Sequence, residues 1–204
     1  MKHLLVLVVA TVAQFCALPT NAQTDNYDVA SNITPMQRDH IGIDGGLMFP
    51  FGDIGKGLDL STAWGMNLNF WKFIDERFIG TITVGNSWYQ LGSNVQSDSG
   101  IIDLSGYSMT ATPLLGGIGY VFGTGDIHPY IVVHGGATFI TVNVGKNRPT
   151  EEINNEAYFT LASTLGIGYG IAEGWTISTS ARYAKMFGED LQTIAILFGV
   201  SYRI

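Results

Sequence analysis

The stretch AILFGVSYRI, residues 195–204, alternates oily residues with small or charged ones up to its last position. Ile194, Ile196, Phe198, Val200, Tyr202 and Ile204 share one face of an extended chain, and Ala195, Leu197, Gly199, Ser201 and Arg203 share the other, because successive side chains of a strand point to opposite sides. The scheme recurs upstream. Trp175, Ile177, Ala181 and Tyr183 stand against Thr176, Ser178, Ser180 and Arg182, and Phe159, Leu161, Leu165, Ile167, Tyr169 and Ile171 against Thr160, Ala162, Thr164, Gly166, Gly168 and Gly170. Trp64, Met66, Leu68 and Phe70 oppose Gly65, Asn67 and Asn69, and Ile41, Ile43, Leu47 and Phe49 oppose Gly42, Asp44, Gly46 and Met48. A soluble β-sandwich or lipocalin turns its oily face inward and carries solvating charge on the other. Here the second face is glycine, alanine, serine, threonine and asparagine, which suits the interior of a narrow barrel whose oily face meets lipid.

Composition agrees. Charged residues make up 13% of the chain against about a quarter in ordinary domains. Glycine accounts for 26 of 204 residues and mean hydropathy is positive, yet no segment beyond the N-terminus is a continuous apolar run of the roughly 20 residues a helical span needs. At that N-terminus, Lys2, the apolar run from Leu4 to Ala17 and the small residues of PTNAQ predict a cleaved secretory signal over residues 1–22, with Gln23 as the mature start. The rival reading, an anchoring helix, asks more length than the run has. Cys16 is preceded by AQF, which lacks the small residue a lipidation site wants, and the mature chain has no cysteine. It therefore offers neither disulfides nor a thiolate. Without Lys2, nine basic residues face seventeen acidic ones, a net charge of −8. This argues against nucleic acid or an anionic surface as a partner, since both demand a basic face.

Residues 23–39 are polar and patternless and read as a flexible segment ahead of the barrel; the NIT tripeptide at 32–34 is too short a match to carry weight. From residue 40 the period is two, and eight strands are expected at 40–49, 63–72, 78–89, 107–122, 129–144, 158–172, 175–186 and 193–204. The connections alternate. FIDER, GTGDIH and EG are short, whereas those at 50–62, 90–106, 145–157 and 187–192 are longer, which is the outer-membrane pattern and puts both termini on the short-turn, periplasmic side. Aromatic residues gather near strand ends as two belts: Phe70, Trp71, Phe78, Tyr120, Phe122, Tyr130, Tyr169, Trp175 and Tyr202 on one side, and Phe49, Trp64, Trp88, Tyr89, Tyr107, Tyr158 and Tyr183 on the other. The fifth strand fits least well, because a lipid-facing Tyr130 carries His134 with it and turns Phe139 inward.

TPLLGGIGYVFGTG at 112–125, followed by Pro129 and Tyr130, and GVSYRI at 199–204 resemble the eight-stranded outer-membrane β-barrel proteins common in Bacteroidetes, relatives in architecture of the OmpA transmembrane domain and OmpX. The resemblance covers residues 40–204. It implies an all-β, antiparallel, up-and-down transmembrane barrel, inserted by the barrel-assembly machinery through its alternating C-terminal strand. This chain ends in Ile204 where many such proteins end in Phe, with Tyr202 and Phe198 aromatic on the same face. On this reading the chain stops where it does because its last strand closes on its first.

Little chemistry is legible. Arg182 and Arg203 lie on the small-residue face of the last two strands and Asp44 on that of the first; an Arg facing lipid at mid-depth would cost about 2–4 kcal/mol. These residues are expected to point inward as a polar network filling the lumen, the alternative being a gate or proton path. His40, His128 and His134 have no metal-ligand spacing, and no His, Ser and acidic set assembles near the external side for a lipid-modifying hydrolase. The expectation is no enzyme, no cofactor and no metal. GGIG at 116–119 and GIGYG at 166–170 lack the following helix of a nucleotide loop and are lumen positions. The acids Asp53, Asp59, Asp98, Asp103, Glu151, Glu152, Glu156, Glu189 and Asp190 fall in external loops with no calcium-loop spacing. The chain is expected to be a monomer among outer-membrane lipid and lipopolysaccharide, with a structural or surface-contact role through its loops. A narrow channel for small or hydrophobic solutes is the runner-up and a lipid-active enzyme the third reading.

Overall fold

The computed structural model describes residues 38–52, 60–92, 95–97, 100–102, 107–122, 126–144, 156–188 and 190–204. The signal and N-terminal segment at 1–37, the NIT motif and the loop acids Asp53, Asp59, Asp98, Asp103, Glu151, Glu152 and Glu189 lie outside the described residues.

Ten strands follow one another: β1 (His40–Gly52), β2 (Ala63–Phe73), β3 (Phe78–Gln90), β4 (Val95–Ser97), β5 (Gly100–Ile102), β6 (Tyr107–Val121), β7 (Ile127–Val144), β8 (Glu156–Ala172), β9 (Trp175–Met186) and β10 (Leu191–Arg203). Eight of them close an antiparallel barrel in the order β1-β10-β9-β8-β7-β6-β3-β2. The expected eight strands are these, within a few residues at each end. The β4–β5 hairpin, inside the connection from β3 to β6, is additional. Closure joins the last strand to the first, with His40 opposite Arg203 and Gly52 opposite Leu191. Closing the sheet leaves no unpaired edge.

The start of β1, the end of β10 and the short turns share one end of the barrel, the terminal end; the longer connections leave from the other, the loop end. Asp39 ties the terminal end together by accepting the amide N–H of Phe73 on its carboxylate (3.0 Å) and that of Ile204 on its carbonyl (2.9 Å). In the turn after β2, the Asp75 carboxylate accepts the N–H groups of Arg77 and Phe78 at 2.7 and 2.8 Å. Those two bonds favour its charged form and lower its pKa. The two-residue turn between β8 and β9 puts Gly174 at φ 79°, a conformation that favours glycine.

Prolines show how tightly the ladders are drawn. Pro50 lies beyond Met48, where β1 stops pairing with β2, and Pro129 lies just outside the β6–β7 ladder, so each spares one neighbour a missing donor. Pro113 has no such refuge. It sits mid-strand, and the β3–β6 pairing lapses between Val84↔Leu114 and Ser87↔Ala111. Across the lapse the Thr112 hydroxyl donates to Asn86 Oδ1 at 2.6 Å, on the outer face. Pro113→Val restores a donor, and amide exchange at Gly85 and Asn86 is expected to slow roughly tenfold, the weight of one net hydrogen bond. Unchanged exchange in a folded variant would mean that the proline is not the cause.

The outer face is apolar on all eight barrel strands. Leu47, Leu68, Phe78, Ile118, Val133, Leu165, Ile177 and Phe198 represent β1, β2, β3, β6, β7, β8, β9 and β10 in turn, all exposed. Outward aromatics rim both ends, with Phe78, Tyr120 and Phe122 edge to face and Trp175 against Tyr202 at the terminal end, and Trp64 stacked on Trp88 at 4.2 Å toward the loop end.

The expected belts hold for these residues and need correcting for five others. Tyr130 is 3% exposed and packs with Val132, Val121 and Ile79 inside the barrel, with Trp71 against it. Tyr89, Tyr107 and Tyr158 belong to a second internal cluster at the loop end. In β7 the outward-facing set is Ile131 and Val133, while His134 is 3% exposed and points inward with Tyr130. The reason is reciprocal packing between neighbouring strands on the inner face. A Cβ on Gly166 would collide with the Tyr130 ring, and one on Gly65 would meet Met48 Cε at 2.5 Å. Glycine on one strand makes the room that a large inward side chain on another fills.

Candidate functional site: the polar centre of the lumen

Between the two internal apolar clusters lies a polar layer. Strand pairing sets Asp44 opposite Asn67, and the period of two brings Asn69 to the same face one pleat away. Asn67 Nδ2 donates to Asp44 Oδ1 at 2.5 Å and Asn69 Nδ2 to Asp44 Oδ2 at 2.6 Å. The Thr83 hydroxyl then donates to Asn69 Oδ1 at 2.8 Å, extending the network to β3. From the other side Arg182 Nη2 reaches to 3.8 Å from Asp44 Oδ2, and its Nε donates to Thr164 Oγ1 on β8 at 3.1 Å.

Arg182 and Asp44 are not on neighbouring strands, since β10 runs between them. Gly199 sits opposite both Asp44 and Ser178. A Cβ there would crowd Ser178 Oγ at 2.9 Å and Asp44 Cβ at 3.0 Å, so glycine gives the Asp44 side chain its room. At 3.8 Å the contact is an ion pair rather than a hydrogen bond, so the two amides hold Asp44 more closely than the arginine does.

Arg203, expected on sequence grounds to join these two, lies elsewhere. It is opposite His40 at the terminal rim, and its Nη2 stands 3.7 Å from Glu173 in the β8–β9 turn, an exposed partner. Near the rim a long cationic side chain reaches water from either face, so period two does not decide its partner. The amide and hydroxyl members of the central network, Asn67, Asn69, Thr83 and Thr164, carried no individual signal. Asn67 and Asn69 become informative only once the first two strands are paired and both fall against Asp44.

Other polar groups in the lumen are distributed rather than convergent. The Ser201 hydroxyl lies 3.4 Å from His40 Nδ1 near the terminal rim, while Asp44 is engaged by Asn67, Asn69 and Arg182. Among the described residues no group of three His, Cys, Asp or Glu side chains is placed to hold a metal ion. At the loop-end rim Lys185 pairs with Asp190 at 3.2 Å, and Tyr183 and Gln192 extend the bonding to the same acid.

No family model matches this chain, and no curated protein does. Solved structures do. Neisserial surface protein A superposes with a TM-score of 0.57 at 12% identity, covering 81% of this chain and 97% of that one. Ail, the attachment invasion locus protein of Yersinia pestis, in complex with the heparin analogue sucrose octasulfate, gives 0.54 at 16% identity over 83% and 100%. The outer membrane protein OprG from Pseudomonas aeruginosa gives 0.53 at 14% identity over 82% and 97%. The fold is that of eight-stranded outer-membrane barrels. At these identities the likeness extends to the fold alone.

Proposed function

We propose that this protein is an outer-membrane barrel of the OmpA and OmpX-like kind found in Bacteroidetes, with a structural or surface-contact role in the cell envelope. The observation that carries it is the apolar outer face present on every barrel strand. In water such a surface would drive association; in a bilayer it is the solvated face, and the closed barrel, paired except for the lapse at Pro113, approaches the requirement that no polar group be left open to hydrocarbon. The proposal includes removal of residues 1–22, insertion as a monomer by the barrel-assembly machinery, periplasmic termini, and four external connections facing lipopolysaccharide and surface ligands.

The external partner can be narrowed by charge. Ail was solved with a polyanionic heparin analogue. In this chain the connections carry Asp53, Asp59, Asp98, Asp103, Glu151, Glu152, Glu189 and Asp190 against Lys56, Lys146 and Arg148. The partner proposed here is therefore cationic or bridged by divalent ions. Migration on SDS gels tests the membrane reading: the unboiled protein from the outer-membrane fraction is expected to run ahead of the boiled one, because the closed barrel resists detergent. A single boiling-insensitive band, with the protein in the soluble periplasm, would overturn it. The narrow channel is the second reading, and one observation favours it: the lumen holds more polar groups than its own side chains satisfy.

A further inference from the structure

That surplus is specific. Asn67 Oδ1, Thr81 Oγ1, His134 Nδ1, both ring nitrogens of His128, and Thr176 Oγ1 are buried and have no hydrogen-bond partner among the described residues. Asn67 belongs to the Asp44 network and faces Gly85, while Thr81 Oγ1 and His134 Cδ2 both flank the notch left by Gly117. His128 and Thr176 lie toward the terminal end, His128 opposite Gly168 and Thr176 opposite Gly170 on the strand between them. Left dry, six such atoms carry a desolvation cost comparable with the stability of a whole domain.

Space for water lies toward one end, lined by other residues than those that carry the six atoms. A cavity of about 30 Å³ runs from His40 and Ser201 near the terminal rim inward to Asp44, Asn69, Tyr130 and Ser178, room for about two waters at roughly 10–15 Å³ each. The apolar cluster at this end is one-sided. Trp71, Phe73, Ile79, Val121, Tyr130 and Val132 come from β2, β3, β6 and β7, which leaves the side built by β1, β10, β9 and β8 lined by small and polar residues.

The loop end is different. Met48, Ala63, Tyr89, Met109, Ile140, Tyr158, Met186 and Leu197 form one apolar cluster with a member from each of the eight barrel strands. It therefore crosses the whole lumen. The Tyr89 hydroxyl rests on Met48 Sδ at 3.8 Å, and the three methionines supply unbranched side chains that fill irregular space.

We infer that the lumen is a water-filled half-channel, entered from the terminal end and held shut at the loop end by this eight-stranded apolar seal. The ligands it takes are water and small hydrated ions, which an apolar constriction blocks by shedding water. The inference rests on the membrane reading proposed for the barrel.

Two measurements test it. In planar bilayers the refolded full chain is expected to be silent, and Tyr89→Ala/Leu197→Ala to show discrete single-channel steps with at least a tenfold higher open frequency. A variant that keeps its heat-dependent gel shift yet stays silent, or a wild type that conducts as freely as the variant, overturns the seal. Should the variant not fold, the intact seal is probed in a Cys16→Ser background. Ser178→Cys, on the cavity wall, is expected to react with a charged thiosulfonate at least tenfold faster than Ala195→Cys, inside the seal. Equal rates overturn the half-channel. Loss of the gel shift in the wild type would instead sink the membrane reading, so the two failures are distinguishable.

Discussion

Leu165→Arg is expected to lower the stability of the refolded barrel by about 2–4 kcal/mol, the cost of placing a cation against the hydrocarbon midplane. Leu165 is 61% exposed, midway along β8, with Ile131 and Ala181 as its cross-strand neighbours. In a soluble protein a leucine this open to solvent accepts arginine with a change within about 0.5 kcal/mol. The substitution thus reads the solvent outside the barrel directly. At about 1.4 kcal/mol per factor of ten, the folding equilibrium in lipid vesicles falls by roughly 30- to 1000-fold. Urea titration followed by tryptophan fluorescence measures it, and a change below about 0.5 kcal/mol would make the apolar face something other than a lipid contact.

The second large effect is inside and is asymmetric. Asp44→Leu removes the carboxylate from Asn67, Asn69 and Arg182 together, leaving a buried guanidinium whose remaining partner in the network is Thr164. Stranding a buried charge costs about 3–5 kcal/mol. Arg182→Met leaves Asp44 with both amide donors in place, so its expected cost is smaller, about 1–3 kcal/mol. The double variant is expected to recover much of the loss of Asp44→Leu, because removing both charges removes the imbalance. Urea titrations of the three proteins in one lipid decide the matter. Equal and small effects for both single variants would show that lumen water screens the pair completely.

The two experiments address surfaces that are legible to different degrees in the amino-acid order. Wherever one face of a strand is oily and the other small, as in residues 194–204 or 159–171, period two identified the strand and its facing together. The long and short connections then gave the outer-membrane pattern, and the family resemblance implied closure of the last strand on the first. β7 shows the limit. Tyr130, Val132 and His134 form one face and Ile131 and Val133 the other, so both are apolar enough to meet lipid and alternation alone cannot choose between them.

What this sequence determined by itself is the strands and the oily face of each, because these depend on a local period of two that each strand carries independently; closure of the last strand on the first was what the family resemblance implied. Only the tertiary structure decided how the lumen is filled. Whether Tyr130 fits inside depends on Gly166 across the β7–β8 ladder, and whether Arg182 meets Asp44 depends on the registers that set β9 and β1 on either side of β10. The seal at the loop end likewise takes one side chain from each barrel strand. Such arrangements are sums over residues far apart in the chain, and they come into being when the register of all eight ladders is fixed at once.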